Sequence, residues 1–162
     1  MQNIPTISRR AMLVGGGALA LLLPLAARTQ AESLPLVSVA KDRFCGCCDG
    51  WVEHVRAAGF PVRVEVSDDM DRVKQRLGVP PALASCHTAE VDGYVVEGHV
   101  PVTALQRLLS ERPAATGLAA PGMPAGSPGM DYPGVTPERY DIVLFGPSGP
   151  TTFATFLGGQ EV

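Results

Sequence analysis

Three of the four cysteines of this 162-residue chain lie in one short stretch, "RFCGCCDGW" at residues 43–51. Cys45, Cys47 and Cys48 occupy three of four consecutive positions, and Cys86 is the remaining cysteine. Cysteines this close to one another can serve as disulfide partners, as a dithiol redox pair or as soft-metal ligands. Each of these alternatives makes a different demand on the rest of the chain.

A purely structural disulfide role is disfavoured by geometry. A Cys47–Cys48 bridge would join chain neighbours, and a Cys45–Cys47 bridge would close a very small ring. Loops this short remove little entropy from the unfolded chain, so such bridges would stabilise the fold weakly. If Cys86 paired with one cysteine of the stretch, a bond between the other two would still do little to stabilise the fold.

A redox pair and a metal site remain as alternatives. Cys45 and Cys48 form a C-x-x-C motif, the spacing of a dithiol redox pair, but Cys47 between them could form the wrong bridge. A soft-metal site uses all three cysteines, because close thiolates can bridge several soft ions and Cu(I) accepts thiolate, thioether and imidazole ligands. Zinc also takes such donors, but its structural sites favour separated C-x-x-C pairs.

A second group of donors comes from "SCHTAEVDGYVVEGHVP" at residues 85–101, where a central Asp-Gly predicts a two-residue β-hairpin turn. In that register three pairs face each other: Val91 with Tyr94, Thr88 with Glu97, and Cys86 with His99. Facing residues have β-carbons about 5 Å apart on the same side of the sheet. We therefore predict that Cys86 and His99 lie together and serve as metal ligands.

Five further residues are either candidate metal ligands or have an ordinary place in the core or on the surface. A regular strand would point His87 to the other face of the hairpin, but it stays a candidate ligand. Met123 and Met130, in a Pro/Gly-rich segment, are either thioether ligands for Cu(I) or plain apolar residues. His54 would lie about 10 Å along a helix from Cys47, so it is predicted to face solvent. Trp51 shares the apolar stripe of that helix and is predicted to be core.

The elements that must position these donors are predicted in the order β-α-β-α-β-β-α. The expected ranges are strands over 34–40 and 61–66, helices over 46–58 and 67–78, the hairpin, and a helix over 102–112. Cys45 would be the N-cap of the first helix, whose dipole and free N–H groups stabilise thiolates, and Ser67 would cap the second. A C-x-x-C opening the first helix in this order is the layout of a thioredoxin-like α/β fold.

The predicted elements end in a less regular part. Residues 113–137, rich in Pro and Gly, are expected to form a loop, and residues 140–158 a final hairpin.

Residues 1–31 are predicted to be a secretory signal peptide. Arg9 and Arg10 precede an uncharged stretch, and small residues suit cleavage near Ala31. The uncharged stretch is interrupted by glycines and a proline and is shorter than the roughly 20 residues of a membrane-spanning helix. The arginine pair also suits twin-arginine export. The mature protein is then one domain over 32–162.

The charge of that mature domain argues against nucleic acid as a partner. The chain has 13 basic and 16 acidic residues, and removal of the three signal-peptide arginines leaves 10 against 16, a net charge of −6. Neither a phosphate-binding G-x-x-x-x-G-K motif nor a G-x-S-x-G motif occurs in the sequence.

With these motifs the chain resembles the CopG-type periplasmic copper-resistance proteins, a bacterial family long described as a domain of unknown function. Four motifs carry the resemblance in the same order: C-x-C-C, C-H-T, G-Y-V-x-E-G-H-V-P and P-G-M-P-x-G-S-P-G-M. It extends from about Leu34 to the final hairpin. The resemblance implies a thioredoxin-like domain that binds several copper ions in a thiolate-bridged cluster, with a role in copper redox conversion or handover.

The resemblance also implies which residues bind copper. The matching positions are Cys45, Cys47, Cys48, Cys86, His99, Met123 and Met130, with His87 as a further candidate. The leading hypothesis is a periplasmic copper-binding protein that holds Cu(I), exchanges it with other periplasmic copper-handling proteins and has no membrane segment in its mature form. The alternative is a thiol–disulfide oxidoreductase acting through Cys45 and Cys48, and whether the protein is an enzyme stays open.

Overall fold

The computed structural model describes residues 33–162, so the predicted signal peptide and its cleavage near Ala31 lie outside the described residues. This part of the chain is a mixed α/β structure with one eight-stranded sheet and three α-helices. The elements are β1 (Val37–Lys41), α1 (Gly46–Ala57), β2 (Val62–Val66), α2 (Met70–Arg76), β3 (His87–Val91), β4 (Tyr94–Gly98), α3 (Val102–Glu111), β5 (Gly117–Ala120), β6 (Arg139–Phe145), β7 (Thr151–Leu157) and β8 (Gln160–Glu161).

The first seven of these elements follow the predicted order of strands and helices. The sheet order is β2-β1-β3-β4-β5-β6-β7-β8, with β1 parallel to β2 and antiparallel to β3. β1 is therefore an interior strand, and the turn that follows it leads directly into α1. Within the described residues, no helix is both long and apolar enough to cross a membrane.

The β3–β4 hairpin has the predicted register. Val91 pairs with Tyr94 and Thr88 pairs with Glu97. The two turn residues, Asp92 and Gly93, have φ values of 46° and 85°, as a turn with two left-handed residues requires. The paired ladder ends at Thr88 and Glu97, so the chain leaves regular strand geometry just before it reaches the predicted donor pair.

The core lies between the sheet and helices α1 and α3. Alternate residues of β1 are buried, as expected for a strand with one face toward the core, and Val37 and Val39 belong to the same core cluster as Leu105 and Leu108 of α3. Trp51 of α1 is fully buried, and its Nε1–H donates a hydrogen bond to the carbonyl of Val100 at 2.9 Å. The prediction that Trp51 is a core residue is confirmed.

Two predictions about local structure are wrong. The segment 113–137 was expected to be a loop, but it contains β5, which is fully buried between β4 and β6. Three of its four residues are Gly or Ala, which have little preference for strands. Its conformation therefore comes from hydrogen bonding to β4 and β6 on either side rather than from its own composition. The N-cap of α2 is Asp69, whose carboxylate accepts from Arg72 N at 2.9 Å, rather than Ser67, which accepts from Asp69 N.

Candidate metal centre

The cysteine turn forms the N-terminus of α1, as predicted. Cys45 is the N-cap residue, with extended backbone angles and no side-chain cap on the helix. Cys47 and Cys48 lie in the first turn, where unpaired N–H groups and the helix dipole favour negative charge. The ammonium of Lys41, buried at the end of β1, donates to the carbonyl of Cys45 at 3.1 Å and pairs with Asp49 at 2.6 Å. These contacts fix the start of the helix to the sheet.

The sulfur atoms of all four cysteines lie close together. Cys45 and Cys48 are joined by a disulfide, with their Cα atoms 5.5 Å apart, and Cys47 and Cys86 carry free thiols. Cys47 Sγ lies 3.5 Å from Cys45 Sγ and 3.9 Å from Cys86 Sγ. The four sulfurs all lie within 4.8 Å of one another. The hairpin cysteine therefore meets the cysteine turn.

Two imidazoles adjoin the Cys86 thiol. Its Sγ lies 3.0 Å from Nε2 of His99 and 3.3 Å from Nδ1 of His87. The predicted contact between Cys86 and His99 is present. The sequence left the direction of His87 open and kept it as a candidate ligand. Its ring centre lies 5.1 Å from that of His99 and 4.5 Å from that of Trp51, so His87 adjoins the same site. Cys86 and His99 stand beyond the paired ladder, so strand alternation does not govern their directions.

The orientation of His99 leaves the lone pair of its Nε2 atom free to accept a hydrogen bond or to bind a metal. Its Nδ1 lies 2.8 Å from the carbonyl oxygen of Pro128, which can only accept, so Nδ1 carries the proton. Nε2 then points its lone pair toward Cys86. Metal-bound histidines commonly donate their other ring N–H in this way, which fixes tautomer and ring orientation.

The second imidazole has an unpaired nitrogen. Among the described residues, Nε2 of His87 is the buried side-chain nitrogen without a hydrogen-bond partner, and its side chain is fully buried. A buried polar group normally has a partner. The nitrogen that adjoins the Cys86 thiol, at 3.3 Å, is Nδ1, so Nδ1 is the atom of His87 placed to share a metal with Cys86. The donor set of thiols and imidazoles also suits Cu(I).

Burial lowers the pKa of both imidazoles and so favours their neutral form, which is the form that binds metal. Burial, with the charges of His99, Lys74 and Lys41 added, lowers the pKa of His87 well below its ordinary value. Burial also lowers the pKa of His99. Burial, and next the nearby Cys47, raises the pKa of the Cys86 thiol to about 12. Cys86 is therefore a neutral thiol in the metal-free protein, and metal binding there must release its proton.

The Pro/Gly-rich segment lies directly on α1. A Cβ atom on Gly129 would lie 2.6 Å from both the Cys47 carbonyl oxygen and the Trp51 nitrogen, and Gly129 has a φ of +85°. A Cβ on Gly50 would lie 2.8 Å from the Cα of Gly129. This contact between two glycines brings the adjoining Pro128 carbonyl to His99. Sequence reasoning missed Pro128, because a backbone carbonyl gives no residue-type signal.

The other predicted ligands are placed differently. Met123 is exposed and lines, together with Cys86, an open cavity of about 330 Å³. Met130 is half-buried beside Gly129, and its N–H donates to the Ser127 carbonyl. The ligand roles of both methionines stay predictions.

His54 does not face solvent, and that prediction is wrong. It is half-buried, and its Nε2 accepts a hydrogen bond from the N–H of Val102 at 3.2 Å. Val102 is the first residue of α3, where backbone N–H groups lack partners within the helix, so His54 serves as a cap. It is absent from the two groups of close metal donors found among residues 33–162.

These features define an α/β protein with a compact site of four cysteine sulfurs and two imidazoles suited to soft metals. Residues 83–130 match the family described as "Protein of unknown function, DUF411". Two solved structures of a copper resistance protein, copG, are similar over nearly their whole length. Form 2 is 43% identical, with a TM-score of 0.72, and the match covers 76% of this chain and 98% of that one. Form 1 is 42% identical, with a TM-score of 0.71 and coverages of 77% and 99%.

The chain therefore belongs to the CopG-type copper-resistance family. Among curated proteins, no sequence matches this chain significantly.

Proposed function

We propose that this protein binds copper as its cargo and contributes to copper resistance by holding Cu(I) at the N-terminus of α1. The proposed donors are Cys45, Cys47, Cys48, Cys86, His87 and His99. The observation that carries the proposal is the approach of four cysteine sulfurs to within 4.8 Å of one another, in contact with two neutral imidazoles. The copper-resistance relatives support copper as the metal.

The number and spacing of the sulfurs favour more than one copper ion. Once the Cys45–Cys48 disulfide is reduced, thiolates at these separations can each bridge two soft ions, which shares six donors among several metals. Cys86 belongs to both donor groups, the four sulfurs and the set formed with His87 and His99. We infer a thiolate-bridged multinuclear site in which Cys86 connects the two groups.

The position of the site suits exchange of copper with other proteins. Cys45 and Cys47 are half-buried, whereas Cys48 and both histidines are buried. Copper can therefore reach the sulfurs from one side while the imidazoles hold it from the other. This accessibility supports handover to other copper-handling proteins of the same compartment. Conversion between Cu(I) and Cu(II) would in addition need an external one-electron donor or acceptor that reaches the site from the same side.

We further propose a thioredoxin-like fold for the part that bears the site, and a periplasmic location. The order β-α-β-α-β-β-α, with the cysteine turn between β1 and α1, supports the fold. The arginine pair and apolar stretch within residues 1–31 support export.

Metal analysis after aerobic purification tests the proposed function. Several copper ions per chain are expected, and replacement of Cys45, Cys47 and Cys48 by serine should abolish copper binding. A Ser148→Ala variant, at an exposed position in the turn between β6 and β7, keeps all the proposed donors and should bind copper as the unmodified chain does. A metal-free protein that takes up no Cu(I) after reduction would contradict the proposal.

The Cys45–Cys48 disulfide favours a second candidate, a thiol–disulfide oxidoreductase. A C-x-x-C disulfide at a helix N-terminus is the arrangement of a dithiol exchange site. In that case Cys45→Ser and Cys48→Ser would each abolish disulfide exchange with a model substrate. Cys47→Ser would leave this activity intact while weakening copper binding, so the two functions respond differently to this variant.

A further inference from the structure

A buried ion pair lies behind the hairpin end of the site. Glu97 of β4 is fully buried, and Lys74 of α2 is 8% exposed. The Lys74 ammonium donates to Oε1 of Glu97 at 2.6 Å. Neither residue belongs to the metal donors, yet the glutamate precedes His99 by two positions in the same motif.

The Glu97 carboxylate is the centre of a complete hydrogen-bond network. Besides Lys74, it accepts from the backbone N–H of Ser85 through Oε1 at 2.6 Å. Its Oε2 accepts from the hydroxyl of Thr88 at 2.6 Å, and that hydroxyl in turn accepts from Lys74 at 3.0 Å. Ser85 and Thr88 stand on either side of Cys86 and His87 in the chain. The carboxylate therefore forms hydrogen bonds to both residues that flank Cys86 and His87.

The hydrogen bond from Ser85 replaces strand pairing that is missing there. The β3–β4 ladder ends at the Thr88–Glu97 pair, so the residues before it have no backbone partner on β4 within that ladder. Gly98, with a φ of +72°, lets the two segments approach closely, because a Cβ there would lie 2.5 Å from the Ser85 hydroxyl. Beyond the last backbone pair, the Glu97 side chain thus takes the place of a backbone partner and holds the segment that carries Cys86 against β4.

Stability alone does not account for this arrangement. A buried ion pair often contributes no more to folding than apolar residues of the same volume, because both charges must leave water. We propose that Glu97 is a positioning residue that holds Cys86 against His99 and Cys47 through the Ser85 N–H. Lys74 balances the buried charge of the carboxylate. The relevance of this to copper rests on the proposed function.

Two double variants separate position from charge. Lys74→Met/Glu97→Gln and Lys74→Met/Glu97→Leu both remove the two buried charges, but only glutamine keeps an oxygen that can accept from Ser85. Cu(I) affinity is measured by competition with a chromophoric Cu(I) chelator. The leucine variant should bind Cu(I) at least about tenfold more weakly than the glutamine variant, as is typical when a residue that orients a metal ligand is lost.

A second readout uses the metal-free protein. The alkylation rate of the Cys86 thiol, followed by peptide mass spectrometry, should rise in the leucine variant and stay near that of the unmodified chain in the glutamine variant. This rate reports the position of Cys86 whether or not the protein binds copper, so failure of the proposed function and failure of this inference are distinguishable. Equal copper affinities and equal alkylation rates in the two double variants would overturn the inference.

Tyr94→Phe controls for general weakening of the hairpin. It removes the hydrogen bond from the Tyr94 hydroxyl to the Pro113 carbonyl, 2.8 Å long, at the opposite end of β4. It should lower the thermal stability without changing Cys86 alkylation. If it changes alkylation as much as the leucine variant does, the inference is wrong. Lys74→Met/Glu97→Met, with a more flexible apolar side chain, serves for the same comparison if the leucine variant does not fold.

Discussion

Cys86 Sγ lies 3.0 Å from Nε2 of His99, and both residues stand at the open end of a hairpin whose backbone pairing stops at Thr88 and Glu97. This contact joins a thiol to an imidazole whose other nitrogen is already occupied by the Pro128 carbonyl. It makes the hairpin end a preformed half-site, which the cysteine turn of α1 completes.

Removal of the His99 imidazole should weaken copper binding more than removal of the His54 imidazole. We expect His99→Leu to reduce Cu(I) affinity by about tenfold or more, because a donor in contact with Cys86 is lost. His54→Leu removes the cap on Val102 and should lower stability by about 1 kcal/mol with little change in affinity. Competition titrations and thermal unfolding of both variants measure these effects. Equal losses of affinity would contradict the assignment of His99.

The state of the Cys45–Cys48 disulfide should control how much copper the protein takes up. Thiolates are metal ligands and disulfide sulfurs are poor ones, so reduction makes two more ligands available. Anaerobic Cu(I) titration of reduced protein should therefore give a higher copper content than titration of oxidised protein. The control is the Cys45→Ser/Cys48→Ser variant, whose copper content should not respond to reductant.

Gly129→Ala should detach the Pro/Gly-rich segment from α1. Its Cβ would lie 2.6 Å from two backbone atoms of the helix, and this would also move the Pro128 carbonyl away from His99. Gly134→Ala is the matched control, because Gly134 has the same φ of +85° and nothing within 4 Å of the added Cβ.

For the control we expect a loss of about 1–2 kcal/mol of unfolding free energy from the left-handed backbone alone. Gly129→Ala should lose more than this and should also bind Cu(I) more weakly. Chemical denaturation and copper competition measure both. If the two alanine variants behave alike, the contact between the loop and the helix does not matter for the site.

The metal-free protein should lose stability as the pH falls below about 6.5. The pKa values of His87 and His99 are lowered in the folded protein, chiefly by burial, from an ordinary value of 6.5. Below that value the unfolded chain binds protons that the folded protein does not, so the unfolding free energy decreases with falling pH. The slope is at most about 1.4 kcal/mol per pH unit for each such histidine.

Denaturant unfolding at pH 7 and at pH 5.5 measures this slope. His87→Leu should make it shallower, because the most strongly shifted histidine is then absent. An unchanged slope in that variant would show that His87 does not remain neutral in the folded protein.

The parts of the structure that sequence predicts well are those with local signals. The Asp-Gly turn alone sets the register that pairs Thr88 with Glu97, because a two-residue turn leaves no freedom in pairing, and so brings Cys86 and His99 to the same end of the hairpin. The N-cap position of Cys45 follows in the same way from the apolar spacing of α1. Half of the donor arrangement could therefore be derived before any coordinates.

The remaining features depend on contacts between distant segments. β5 consists of Gly117, Leu118, Ala119 and Ala120, residues with little strand preference, and its neighbours impose its conformation. His87 turns toward Cys86 and His54 caps α3 because of what packs around them, which no spacing rule contains. The network around Glu97 was visible only as a facing pair with Thr88, since its partners on α2 and at Ser85 come from tertiary packing.

The separation of the donors along the chain has a consequence for when copper can be loaded. The cysteine turn, the Cys86 segment, His99 and Pro128 meet only after β1, β3 and β4 have paired and the last loop has reached α1. A chain that crosses a membrane unfolded must therefore acquire its metal on the far side, after folding there. A chain that crosses already folded can bring copper with it, so under the proposed export the route would determine which compartment supplies the first ion.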